Sequence, residues 1–232
     1  MSLPPTTPHI DPLTTLREQI AADLLQIGAL VLRPDEPFTW ASGLRAPVYC
    51  DNRLTLAYPA IRSRVTAGFQ ELIGRSEAAP DAVAGVATAG IPQAALVADQ
   101  LGLPLAYVRA SVKGHGRENR IEGRLEAGQR VVLVEDLIST GGSSAAAAEA
   151  LRAAGTVPTT VLAIFSYGLD AAAGRFAEAG LAHATLTDFD TLLRVAERAG
   201  ALASSSLGTL RAWRADPEGW SQSHRGTGGS ED

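Results

Sequence analysis

The sequence VVLVEDLISTGGSS, residues 131–144, decides the fold of this 232-residue chain. Its first four residues are apolar and favour β-structure, which predicts a strand buried on both faces, as in a parallel sheet covered by helices. Two acids, Glu135 and Asp136, follow, and a turn rich in serine, threonine and glycine then leads into an alanine-rich helix. Ligands of open parallel sheets bind at the carboxyl ends of the strands. The segment therefore predicts a ligand site at this turn.

The turn after the two acids has the composition of a phosphate-binding loop. Its members are Ser139, Thr140, Gly141, Gly142 and Ser143. The glycines let the backbone approach an anion, the hydroxyls add donors, and the first N–H groups of the next helix lack intrahelical partners. Glu135 and Asp136 would repel a phosphate, so they indicate a ligand that also carries hydroxyls, such as a ribose, or a magnesium ion. No Gly-Lys-Ser/Thr sequence follows a predicted strand, which excludes a Walker-type loop.

Composition indicates a compact protein and argues against several classes of function. The chain is 46% hydrophobic with a net charge of −5, so it can form a core but carries no general basic footprint for nucleic acid. The single cysteine, Cys50, excludes an internal disulfide and fits a reducing compartment, so we expect a cytoplasmic protein. The first residues lack the pattern of a signal peptide, and no apolar run reaches membrane-spanning length.

Alternating helices and strands are predicted along the chain, which indicates a parallel sheet built from right-handed βαβ units. The predicted order is helix 13–27, short β pieces over 29–52, helix 58–73, strand 82–87, helix 92–101, strand 105–108, strand 131–135, helix 142–154, strand 159–165 and helices 171–178 and 190–199. The short pieces around Trp40 and Tyr49 predict a small N-terminal hood, formed mainly by residues 12–55 with C-terminal helices. Residues 215–232, poor in apolar side chains, predict a flexible tail.

A basic loop is predicted after the strand 105–108. Between Arg109 and Arg124 the chain has five Arg or Lys residues and two Glu residues. Lys113 is the only lysine in the chain, which suggests a need for a compact ammonium, although chance retention explains a lone lysine equally well. Gly114 and Gly116 permit mobility, so the loop is either a solvated charge run or a lid that closes over a pyrophosphate.

Three separated segments resemble known phosphoribosyltransferases. Residues 131–144 resemble the 5-phosphoribosyl 1-diphosphate (PRPP) signature of the type I family. Residues 109–116, with Arg, three residues, Lys, one residue and His-Gly, resemble the catalytic loop of the orotate-using branch, and PFTWASGLRAPVYCDNR, residues 37–53, resembles its hood. The resemblance implies an α/β fold of the type I phosphoribosyltransferase kind, in which helices flank an open parallel sheet, with one such domain over residues 1–214.

The resemblance also implies a reaction. The 5-phosphoribosyl group of PRPP is transferred to orotate, giving orotidine 5′-monophosphate and pyrophosphate in de novo pyrimidine (UMP) biosynthesis. Mg²⁺ is the implied cofactor, held mainly through PRPP with Glu135 and Asp136 as further ligands. A homodimer with shared active sites is implied, and no nucleic-acid or membrane partner is expected. A purine phosphoribosyltransferase and a non-enzymatic PRPP-sensing regulator are the alternatives; Lys113 and His115 favour orotate, and the acidic charge disfavours the regulator.

The resemblance assigns roles to individual residues. The catalytic residues are Lys113, His115, Asp136 and Glu135. The PRPP site consists of Arg109, Lys113, His115, Glu135, Asp136, Leu137, Ile138, Ser139, Thr140, Gly141, Gly142 and Ser143. The turn 139–143 takes the 5′-phosphate, Arg109, Lys113 and His115 take the pyrophosphate, and Asp136 is better placed than Glu135 to stabilise a ribosyl cation. Orotate contacts Ser139, Tyr49 and Cys50.

Two further features concern the phosphate side of the site. The turn 88–92, Thr-Ala-Gly-Ile-Pro, has the position that approaches the pyrophosphate in the family, although a plain connection between strand and helix explains it nearly as well. Ala41, Ala89 and Ala110 stand where some members carry lysines.

Adjacent strand residues point to opposite faces, so we expect Glu135 and Asp136 to converge only if the strand has begun to turn.

Overall fold

A six-stranded sheet forms the centre of the computed structural model, which describes residues 11–76, 78–110 and 120–224. The helices are α1 Pro12–Gln26, α2 Pro59–Gly74, α3 Gly90–Leu101, α4 Gly142–Ala153, α5 Asp170–Glu178, α6 Phe189–Arg198, α7 Leu207–Ala215 and α8 Pro217–Ser223, with 3₁₀ turns at Asn52–Ala57 and Ser204–Ser206. The strands are β1 Leu30–Leu32, β2 Phe38–Thr39, β3 Arg45–Ala46, β4 Val48–Cys50, β5 Ala82–Val86, β6 Leu105–Val108, β7 Ile121–Glu122, β8 Arg130–Ile138, β9 Val157–Ser166 and β10 Ala182–Asp188.

The strand order of the sheet is β10-β9-β8-β5-β6-β7, and only β7 is antiparallel to its neighbour. β8 therefore lies between β9 and β5, and its apolar residues are buried on both faces. Val132 and Val134 belong to the core beneath α1, α2, α3 and α6, whereas Val131 and Leu133 belong to the core beneath α4 and α5. The α/β fold with a largely parallel sheet is confirmed.

Two strands of the sheet were not predicted. β10 has the sequence AHATLTD, which lacks a continuous apolar run because threonines occupy buried positions; Thr187 is fully buried. β7 is only two residues long. In addition, β8 does not end at Glu135 as predicted but continues to Ile138, because Leu137 and Ile138 pair with β9. The paired edge strands widen the sheet on both sides of the site.

Small antiparallel pairs, β1 with β4 and β2 with β3, form the hood. The Trp40 indole donates to the Val48 carbonyl at 3.1 Å, which ties the two pairs together. α8 packs against β3, and the Arg45 backbone N–H donates to the Ser221 hydroxyl at 2.9 Å. The hood is thus built from N-terminal strands and C-terminal helices.

The predicted flexible tail is wrong as far as His224. Asp216 caps α8 by accepting from the Gly219 N–H at 2.9 Å, and Pro217 occupies the first turn, where a missing N–H costs nothing. The segment has few apolar residues, but one of them, Trp220, is large, is only 7% exposed and belongs to the core. Residues 225–232 lie outside the described ranges. Every helix within those ranges is too short or too polar to cross a membrane.

Candidate active site

Glu135 and Asp136, the acid pair, lie near the carboxyl end of β8, where each carboxyl group influences the pKa of the other. They converge although the strand continues, because the longer Glu135 side chain folds back and accepts from the Asp136 N–H at 3.1 Å. Burial, and then the charge of Asp136, raises the pKa of Glu135. Burial also raises the pKa of Asp136, while the hydrogen bond from Glu135 opposes that rise. Of the two carboxyl groups, Glu135 is therefore the one on which burial and its neighbour's charge favour a proton.

The turn 139–143 joins β8 to the N-terminus of α4. Gly141 is the N-cap with φ of 75°, the left-handed region that favours glycine, and it has no side chain to occupy the first N–H groups of the helix. Those donors and the positive end of the helix dipole are available to an anion. A Cβ at Gly141 would lie 3.2 Å from the Phe176 ring, so α5 packs closely behind the turn.

Arg175 of α5 holds the same turn from the side. One terminal nitrogen of its guanidinium donates to the Thr140 carbonyl at 2.9 Å and to the Thr140 hydroxyl at 3.2 Å. This places a cation beside the predicted phosphate position. Arg175 was not among the predicted site residues, and nothing in the sequence around it separates it from an ordinary surface arginine of an amphipathic helix.

The turn 88–92 lies against the end of β8. Gly90 begins α3, and a Cβ there would overlap the Val134 carbonyl oxygen and lie 3.1 Å from Glu135 Cα. Gly85 of β5 is similarly close to α3, where a Cβ would meet Ile91 Cα at 2.9 Å. Glycine at both positions lets the first turn of α3 reach the acid pair.

A basic pocket opens beside this turn. It is lined by Val86, Ala87, Val108, Arg109, Ala110, Arg120, Ser143, Ala146 and Ala147. Arg109 forms an ion pair with Glu122 at 3.2 Å, and the Arg120 guanidinium donates to the carbonyls of Arg109 at 2.9 Å and Ala146 at 3.2 Å. Arg109 and Arg120, both within the predicted basic loop, are therefore held next to α4. Lys113 and His115 lie outside the described residues.

An aromatic pocket lies between the hood and the carboxyl ends of β8 and β9. It is lined by Trp40, Ala41, Tyr49, Cys50, Leu137, Ser139 and Tyr167. The structure thus brings together the three residues assigned to orotate. Burial raises the pKa of the Cys50 thiol and of the Tyr167 hydroxyl, and the charge of Asp136 contributes to both shifts. The aromatic pocket is therefore adjacent to the acid pair.

Tyr167 was missed by the sequence analysis. Its ring packs against Trp40 at 5.2 Å between centroids and against Trp213 of α7 at 5.5 Å. The residue directly follows β9, and a polar aromatic residue at the carboxyl end of a buried strand was the signal that could have indicated it. Two of the three alanines named from the family resemblance line these pockets: Ala41 lines the aromatic pocket and Ala110 lines the basic pocket.

Comparison with known proteins assigns a family to this arrangement. The model of the phosphoribosyl transferase domain matches residues 56–172. An orotate phosphoribosyltransferase of Bacillus caldolyticus is 53% identical over 205 residues, which cover 88% of this chain and 99% of that protein. One from Bacillus subtilis (strain 168) is 50% identical over 203 residues, covering 88% and 94%. The crystal structure of orotate phosphoribosyltransferase from Aeropyrum pernix superposes with a TM-score of 0.69 at 34% identity, covering 79% of this chain and 99% of that one.

Proposed function

The chain belongs to the orotate phosphoribosyltransferase family, and from that premise we propose how its residues perform the reaction. The enzyme transfers the 5-phosphoribosyl group of PRPP to orotate, which gives orotidine 5′-monophosphate and pyrophosphate for pyrimidine biosynthesis. One observation carries the assignment of roles. The free N-terminus of α4, the acid pair and the aromatic pocket adjoin one another at the carboxyl edge of β8.

The 5′-phosphate binds in the turn 139–143. The N–H groups of the first turn of α4 supply donors, and the helix dipole supplies positive potential. The Arg175 guanidinium, which already contacts Thr140, adds a full positive charge at the rim of the turn. These groups are held by α4 and α5 before the ligand arrives, so binding requires little rearrangement.

The ribose lies over the acid pair. The bond from the anomeric carbon to the pyrophosphate oxygen breaks while the bond to a ring nitrogen of orotate forms, the proton of that nitrogen passes to the departing pyrophosphate, and positive charge develops on the sugar. The Asp136 carboxylate stabilises that charge because Glu135 holds the proton of the pair. No protein nucleophile is needed for this displacement.

The leaving pyrophosphate occupies the basic pocket. Arg109 and Arg120 line it, Ala87 places the start of the turn 88–92 beside it, and Lys113 and His115 join from the segment outside the described residues. Carboxylate and phosphate oxygens suit Mg²⁺, but the described residues contain no cluster of three or more His, Cys, Asp or Glu side chains. Mg²⁺ would be held through the PRPP diphosphate, with Asp136 and Glu135 as the carboxyl groups that would contribute protein oxygens. When bound, Mg²⁺ neutralises charge on the diphosphate.

Orotate enters the aromatic pocket. Trp40 and Tyr167 offer ring faces, and Ser139 and the backbone near Tyr49 and Cys50 offer polar groups to the edge of the base. The hydroxyl of Tyr167, a residue that also lines this pocket, adds a further donor. A small planar base fits such a pocket, in which apolar walls carry a few fixed polar groups.

The enzyme acts as a cytoplasmic homodimer in which the catalytic loop that carries Lys113 and His115 reaches the neighbour's active site. The resemblance to the family supports the homodimer with shared active sites, and the single cysteine supports the cytoplasmic location. Mixing inactive Lys113→Ala with inactive Asp136→Asn subunits is expected to restore activity, because a hybrid dimer contains one site with both residues intact. Mixtures shown to exchange subunits that recover no activity would contradict loop sharing.

Product analysis tests the proposed reaction. Purified enzyme with orotate, PRPP and Mg²⁺ is expected to form orotidine 5′-monophosphate and pyrophosphate in equal amounts. Asp136→Asn is expected to lower kcat by about 100-fold or more, since an electrostatic contact to the transition state is worth this much. Unchanged kcat in that variant would contradict the role of Asp136.

A further inference from the structure

A buried chain of hydrogen bonds joins α3 to the end of β8. The Gln93 side-chain amide donates to the Thr55 hydroxyl at 3.1 Å, and this hydroxyl donates to the Asn52 carbonyl at 2.6 Å. The Asn52 side-chain amide then donates to the Asp136 carbonyl at 2.7 Å. Gln93, Thr55 and Asn52 are 2%, 0% and 1% exposed, so water cannot replace these bonds.

The direction of donation in this chain is determined. Because Thr55 gives its only proton to the Asn52 carbonyl, its oxygen can only accept from Gln93. Asn52 must present its NH₂ group to Asp136, since the Asp136 carbonyl has no proton to give. The side-chain oxygens of Asn52 and Gln93 remain buried without a partner. Buried oxygens without a hydrogen-bond partner lower the stability of the fold, and apolar side chains of similar shape at these positions would not carry that cost.

Asn52 also contacts the aromatic pocket. Its backbone N–H and side chain lie close enough to the Cys50 thiol to lower the pKa of that group, and Cys50 lines that pocket. Gln93 lies in the first turn of α3, directly after the turn 88–92. The three residues therefore touch the segments that hold the base, the ribose and the pyrophosphate.

We propose that Asn52, Thr55 and Gln93 are positioning residues that fix the main chain of Asp136 relative to the aromatic pocket and the turn 88–92. This inference rests on the proposed function. Holding the carbonyl of Asp136 from one side leaves its carboxylate aimed at the anomeric carbon and keeps the incoming base in line with the leaving pyrophosphate. Misplacement of reacting groups by about 1 Å can reduce a rate about 100-fold.

The experiment compares kcat and KM of Thr55 variants. Thr55→Val keeps the shape of the side chain but removes the hydroxyl, and we expect kcat to fall about 10-fold while both KM values change less than about twofold, because substrate contacts remain. Thr55→Ser restores the hydroxyl and is expected to recover most of kcat. Thr66→Val is the matched control, since the buried Thr66 hydroxyl donates to the Arg62 carbonyl at 3.0 Å within α2.

A double variant separates positioning from stability. Thr55→Val with Gln93→Leu removes the unpaired amide that the single variant leaves, so the melting temperature is expected to recover while kcat stays low. If kcat recovers together with the melting temperature, these hydrogen bonds only stabilise the fold and the inference is wrong. If Thr55→Val keeps kcat within twofold of an active wild-type enzyme, the inference is also wrong. Failure of the wild-type enzyme to consume orotate would instead contradict the proposed function.

Discussion

Replacing Gly90 with alanine tests whether the contact between α3 and β8 sets the position of the acid pair. The added Cβ would lie 3.1 Å from Glu135 Cα and 3.2 Å from the Val134 carbonyl carbon, and it would overlap the Val134 oxygen. Carbon atoms pack at about 3.5–4.0 Å, so the two backbones must separate by roughly 0.5 Å or more. Both neighbours are main-chain atoms of a central strand, and no side-chain rotation can relieve the overlap.

The expected loss in Gly90→Ala follows from that displacement. Catalytic groups need to be placed within about 0.5 Å, and a 1 Å error costs about 100-fold, so we expect kcat/KM for orotate consumption to fall about 10- to 100-fold. Overpacking should also lower the free energy of unfolding by about 1–3 kcal/mol, or the melting temperature by roughly 2–10 °C. Steady-state kinetics and thermal unfolding measure the two effects.

Gly208→Ala is the matched control for this variant. Gly208 also lies at the start of a helix, α7, but a Cβ there would meet nothing within 4 Å. Its kcat/KM should be unchanged, and its stability should rise slightly because alanine favours helix. Gly90→Ala with kcat/KM within twofold of wild type and an unchanged melting temperature would refute the reasoning.

Three further predictions concern single residues. Tyr167→Phe should raise the KM for orotate about 5- to 10-fold and leave the KM for PRPP unchanged, because one hydrogen bond to the base is worth about 1 kcal/mol; equal changes in both KM values would contradict this. Glu135→Gln should remove a pH dependence of stability. The folded-state pKa of Glu135 is raised above its ordinary value of 4.5. The stabilisation that protonated Glu135 gives the folded state is therefore complete below pH 4.5 and is lost as the pH rises towards the raised pKa. Between about pH 5 and 8 the free energy of unfolding of the wild type should therefore fall relative to that of the variant, by at most about 1.4 kcal/mol per pH unit. Denaturant unfolding measures both, and a difference between the two proteins that does not change with pH would contradict the prediction. Trp220→Ala should lower the free energy of unfolding by about 3 kcal/mol because the ring is buried, whereas a free tail would show no change.

The parts of the site that were predictable are contiguous in sequence. β8, the acid pair and the turn 139–143 follow one another, so a buried strand and a polar turn indicated them together. Tyr49, Cys50 and Ser139 were grouped by family resemblance, and they do line one pocket. Sequence patterns identify such segments because each carries its own strand, turn or capping signal.

The remaining site residues depend on tertiary contacts that no local pattern encodes. Arg175 lies 35 residues after Thr140, and Gln93 reaches Thr55 across 38 positions. Polar residues such as Asn52 and Gln93 are usually exposed, so their burial was unexpected. β10 and α8 were not predicted for a related reason. Buried threonines form the core contacts of β10, and a single tryptophan forms those of α8.

The most direct test of the account is the loss of orotate absorbance when the purified enzyme is mixed with PRPP and Mg²⁺, with adenine, hypoxanthine and uracil as competing bases. We expect rapid, magnesium-dependent consumption of orotate that none of the other bases inhibits or replaces. Turnover of another base without turnover of orotate would contradict the assignment of the aromatic pocket, and no turnover of any base would contradict the proposed reaction.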